Sequence, residues 1–157
     1  MLISFIGAFT TVGATYVNVI EPFNTTVQQN GTIALGSAGP GQTFFVTVSA
    51  ETKNANGTSY PLGWNKLVAY DLPEGWVAEN SSLNIQRLSV KITPNANASN
   101  GTYSFRIRTI NNANLSGLGN LTFSAYVNIT PNVFRLGATP QVITSGIGEP
   151  ADIYVTI

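Results

Sequence analysis

Apolar and polar residues alternate along most of this chain, and a helical 3.6-residue period is hard to find. Alternation of period two is the signature of strands with one buried face. It predicts strands at about 2–9, 15–20, 23–28, 31–36, 42–50, 64–71, 83–93, 102–110, 120–130, 133–136, 140–144 and 151–157. Turn-forming stretches separate them: Ala38-Gly39-Pro40-Gly41, Leu72-Pro73-Glu74-Gly75, and the Gly-, Pro- and Asn-rich runs at 94–101, 111–119, 131–132 and 145–150. Many short strands at such spacing predict an all-β fold, a β-sandwich.

The same alternation assigns faces. Leu88, Val90 and Ile92 point one way, and Arg87, Ser89 and Lys91 the other. Tyr103, Phe105 and Ile107 oppose Ser104, Arg106 and Arg108, while Leu121, Phe123, Ala125, Val127 and Ile129 share one side. These three apolar sets are expected to form the core. Arg87, Lys91, Arg106 and Arg108 then make an exposed basic ladder if their strands are neighbours. Such a ladder reads as a solvated outer face or as an anion or glycan contact.

Composition narrows the function classes. At 157 residues the chain is long enough for one domain with a sizeable core. Charged residues are only 9%, seven basic against seven acidic, so no excess of positive charge is available to neutralise nucleic-acid phosphates. Without Cys there is no disulfide framework or thiol nucleophile, and without His the commonest general base and metal ligand are gone. The polar content is uncharged instead: 17 Asn, 18 Thr and 12 Ser. Nine asparagines open the sequence Asn-x-Ser/Thr: Asn24, Asn30, Asn56, Asn80, Asn97, Asn100, Asn114, Asn120 and Asn128. Composition alone yields about three, so the excess points to N-glycosylation of an exported chain. Dense sequons on a disulfide-free, charge-poor chain point toward an archaeal cell surface, in an acidic or hot setting.

Candidate chemistry is sparse. Trp64 and Trp76, with Tyr60 and Tyr70 nearby, make either core and end packing or a sugar-stacking platform. Asp71, Glu74 and Glu79 lie close in sequence, but nothing organises them as an acid–base pair, and a calcium site from them is a weak alternative. The Gly-rich stretch 36–41 lacks the Lys-Ser/Thr of a phosphate loop. The expectation is a protein that is not an enzyme and uses no cofactor or metal beyond covalent N-glycans.

Residues Leu72 to Trp76, then Val90-Lys91-Ile92-Thr93-Pro94, then Ala98, Gly101, Tyr103, Phe105 and Ile107 follow one order. That order resembles the immunoglobulin-like accessory domains of the alpha-galactosidase-associated type, found in archaeal and bacterial surface proteins. The resemblance covers about residues 34–130. It implies an immunoglobulin-like (Ig-like) sandwich that serves as a spacer, adhesion or assembly module, and it maps no binding residue. The layout is also similar to archaeal thread, pilin-like filament subunits, in which an apolar N-terminal tail completes a neighbour's sandwich.

The ends carry the assembly expectation. Glu21 is the first charged residue. Residues 1–14 read as a short signal sequence, as an interrupted membrane anchor, or as a strand with Met1, Ile3, Phe5, Gly7 and Phe9 on one side. Apolar knobs at alternate positions are what donor-strand insertion into a neighbour needs. The expected division is an apolar tail at 1–20 and an Ig-like domain at 21–157. Near the other end, residues 148–157 resemble 39–48, either by convergence of two strands or as the remnant of a second repeat. Ile153, Val155 and Ile157 are expected to be paired and buried. The combined expectation is an extracellular, glycosylated filament subunit that polymerises head-to-tail with copies of itself and supports adhesion or biofilm. It would contact no nucleic acid, and no membrane beyond export. The alternative is a secreted carbohydrate-binding or spacer module.

Overall fold

The computed structural model describes residues 13–80, 86–112, 115, 117–131 and 133, with the backbone of 137–139 and 154–156. The strands are β1 Val17–Glu21, β2 Thr25–Val27, β3 Thr32–Ala38, β4 Phe44–Ser49, β5 Thr52–Lys53, β6 Ser59–Tyr60 and β7 Lys66–Tyr70. They continue with β8 Val77–Asn80, β9 Arg87–Thr93, β10 Gly101–Ile110, β11 Leu121–Ile129, β12 Gly137–Thr139 and β13 Tyr154–Thr156. No helix lies among the described residues, and so none is long and apolar enough to cross a membrane.

Two sheets face each other. One has the order β2-β1-β4-β9-β8 and the other β3-β11-β10-β7. The order β1-β4-β9-β8 is the A-B-E-D sheet of an immunoglobulin domain, and β11-β10-β7 is its G-F-C sheet. β3 adds a further strand that runs parallel to β11, from Ser124 opposite Thr32 to Ile129 opposite Ala38. The all-β sandwich expected from the alternation is the fold observed.

The predicted core sets face inward. Leu88, Val90, Ile92, Phe105, Ile107 and the five odd positions of β11 are buried, and Tyr103 is half-buried. Register explains why they meet. Phe105 pairs with Ala125 and Ile107 with Phe123, so their side chains rise on one face, opposite that of Val46 and Val90. Each large apolar side chain among them contributes about 1.5–3 kcal/mol on burial. Phe105 stands two residues after Tyr103, where an immunoglobulin domain carries its second disulfide cysteine. Here Phe44 of β4 packs on it, with ring centroids 6.4 Å apart. Tyr103 donates its hydroxyl to the Ser99 carbonyl at 3.0 Å, the corner contact of that fold class.

Several expectations need correction or fall outside the description. The tail boundary at 20/21 cuts through β1; Val17 and Val19 are buried because their alternation continues the core face. β8 is not predicted by the sequence pattern, because its short Val-Ala-Glu-Asn run sits on a sheet edge with little to bury. The strand expected at 151–157 is represented by β13, which pairs with β12 in a separate ladder. Burial of Ile153, Val155 and Ile157, and the predicted strand at 2–9, lie outside the described residues. Of 133–136 and 140–144, only Val133 is described.

Candidate functional site

Asn24, Asn30, Asn56, Asn80, Asn97, Asn100, Asn120 and Asn128 are all exposed. Asn114 lies outside the described residues, as do Met1, Ile3, Phe5, Gly7 and Phe9. Most of the eight occupy turns or strand ends, whereas Asn128 stands within β11 opposite Thr102 and Ser37. Asn120 accepts a hydrogen bond at its Oδ1 from the backbone N–H of Asn111, 3.0 Å away.

Two sequons are shaped by a second asparagine that the sequence reading missed. Asn54 is buried, and its Oδ1 accepts from the backbone N–H of Asn56 at 3.1 Å and of Thr58 at 2.9 Å. Asn95 Oδ1 accepts from the Asn97 N–H at 2.8 Å. Each is an Asx turn, a side-chain carbonyl standing in for a backbone one. The signal is visible as Asn-Ala-Asn at 54–56 and 95–97, and the same triplet stands at 112–114.

The expected basic ladder is not one surface. β9 belongs to one sheet and β10 to the other, so Arg87 and Lys91 lie on one outer face, and Arg106 and Arg108 on the opposite one. The reason is topological: consecutive strands E and F of this fold pair with different partners. Lys91 Nζ binds Glu79 at 3.0 Å, and Arg106 lies 3.7 Å from Asp71. The guanidinium of Arg108 stacks over the Tyr70 ring at 4.9 Å and donates to Thr122 Oγ1 at 3.2 Å and to the Tyr70 hydroxyl at 3.4 Å. Desolvation works to raise the Tyr70 phenol, yet hydrogen bonds with Thr122, Arg108 and Arg106 and the Arg108 charge outweigh it. The phenol titrates below its ordinary range.

The sugar-stacking platform is not formed by the tryptophans. Trp64 is fully buried, and Trp76 is 7% exposed. Trp76 closes one end of the core against Tyr103 at 5.3 Å, Phe105 at 6.2 Å and Phe44 at 6.5 Å. The Leu-Pro-Glu-Gly-Trp turn and the Tyr-Ser-Phe strand thus meet in one aromatic cluster. A small open cleft of about 240 Å³ beside it is lined by Glu74, Trp76, Asn97 and Tyr103 among others.

The acidic trio is dispersed. Glu79 pairs across β8 and β9, while Asp71 pairs with Arg106 at the end of β7. Among the described residues no group of three His, Cys, Asp or Glu is placed to hold a metal ion.

No protein-family model matches the chain, and no curated protein does. Among solved structures, a family 123 glycoside hydrolase from Clostridium perfringens aligns over 81% of this chain at 16% identity, with a TM-score of 0.35. The chain spans 28% of that enzyme's length. A likeness of that degree assigns no activity.

Proposed function

We propose that the protein is a structural Ig-like subunit of an extracellular, N-glycosylated cell-surface assembly, a pilus- or thread-like filament. The observation that supports this reading is the exposure of all eight described sequon asparagines. A nine-sequon chain with several acceptors buried would argue that the motif arises from composition alone. Sugar at these positions solvates a surface that has few charges of its own.

Assembly runs through the apolar segment before β1. The sandwich already contains strands in all the immunoglobulin positions A to G, so a donated tail adds to an open sheet edge, such as that of β7, rather than filling a gap. Such a joint is head-to-tail and propagates. Intact mass of native material is the first test, with a value well above the 16.6 kDa polypeptide expected. Bare polypeptide mass would overturn the glycosylated reading. Imaging is the second: native fibres are expected, and deletion of residues 1–12 should abolish them. Normal fibres from the deleted chain would refute the tail-mediated joint.

A further inference from the structure

The sugar acceptors leave one broad surface bare. Outward positions on the β2-β1-β4-β9-β8 sheet are Asn18, Thr26, Phe45, Thr47, Ser49, Arg87, Ser89, Lys91, Thr93, Val77 and Glu79, with Glu21 opposite Thr47, whose hydroxyl is buried against Glu21 and Ser89. None of the eight described sequon asparagines is among them. Asn24, in the β1–β2 turn, and Asn80, at the end of β8, border the sheet at opposite edges. The other sheet differs, because Asn128 stands outward within β11.

The bareness is not for want of the second half of the motif. Phe45, Thr47, Arg87 and Lys91 each have Ser or Thr two residues on, so a single change to Asn would complete a sequon at any of them. The outward Asn18 is followed by Ile20 instead. On this same face Phe45 is 50% exposed and Val77 57% exposed. An exposed Phe on the central strand β4, on a face whose bordering sugar acceptors stand only at its two edges, marks a contact surface.

Resting on the glycosylated reading above, we infer that this face binds the same face of a second copy, sheet against sheet about a two-fold axis. Charge supports that occupant. Glu21, Glu79, Arg87 and Lys91 supply two negative and two positive groups, so the face is neutral and can meet itself without net repulsion. Glycan placement supports it too, since a copy's other sheet carries Asn128 within its outer face. The face measures roughly 20 by 20 Å from strand spacing and rise. That is about half of the ~800 Å² per partner of a standard interface. The pairing is therefore weak between free subunits and becomes effective between copies already held in a row, where contacts add. It joins filaments side by side, whereas the tail joins subunits end to end.

The test uses native, glycosylated protein. Intact mass is read first; bare polypeptide would overturn both this inference and the reading it rests on. With sugar confirmed, electron microscopy of the native filaments over a rising concentration series is expected to show them pairing side by side. Phe45→Lys, at an exposed position, should weaken this pairing about tenfold without loss of folding. Lys91→Asn should abolish it in a glycosylating host by completing a sequon with Thr93, and restore it when Thr93→Val is added. An amine-reactive cross-linker should join Lys91 to Lys91 of the second copy. Glycosylated filaments that stay single throughout, cross-link chiefly through Lys66, or link Lys91 to its own subunit's N-terminal amine would overturn the pairing, the last by showing that the N-terminal segment covers the face.

Discussion

At the scale of single residues, burial and register give opposite fates to neighbours. Phe105 is 2% exposed and touches Phe44 and Trp76, so Phe105→Ala should cost about 3–5 kcal/mol in chemical denaturation. Arg106, one position on, faces solvent with a loose ion pair, and Arg106→Ala should cost under about 0.5 kcal/mol. Gly75 has φ of +73°, and a Cβ there would run into the Asn95 amide. Gly75→Ala should accordingly destabilise by more than about 1 kcal/mol, visible as a lower denaturation midpoint. Arg108→Gln removes the cation and a hydrogen-bond donor from Tyr70. The phenol's titration, followed by ultraviolet absorbance, should move up toward the ordinary tyrosine range.

Among the elements, the turns that carry sequons separate structural from acceptor asparagines. Asn54→Ala leaves the Asn56 and Thr58 amides without their acceptor and should cost about 1–3 kcal/mol. Asn56→Gln should leave stability unchanged while mass falls by one glycan. Asn97 and Asn100 lie three residues apart in the β9–β10 loop, so glycopeptide mass spectrometry is expected to find them incompletely occupied together. The strands themselves are legible in the sequence because β9, β10 and β11 keep strict alternation, and alternation fixes which side chains face the core. Which strands are neighbours is not legible. Alternation places a side chain such as Lys91 inside or outside, yet it cannot say that β9 and β10 join different sheets, and so Lys91 and Arg106 read as one surface. The tryptophans are ambiguous for a related reason: an isolated Trp supplies the same apolar area to a core or to a sugar, and only the packing of Phe44, Tyr103 and Phe105 around Trp76 decides.

For the molecule as a whole, the parallel pairing of β3 with β11 has a mechanical consequence. Tension applied through the chain before β3 and after β11 draws these two strands in opposite directions along their shared axis. Their ladder runs from Ser124 opposite Thr32 to Ile129 opposite Ala38. Loaded this way, the rungs are sheared together, whereas a hairpin pulled from its open end unzips one rung at a time. Forced unfolding follows the rate of barrier crossing, so a ladder that must fail collectively resists far longer than its equilibrium stability alone would indicate. A thread of such subunits would hold under flow, with each sandwich gripping most firmly along the direction in which it is pulled.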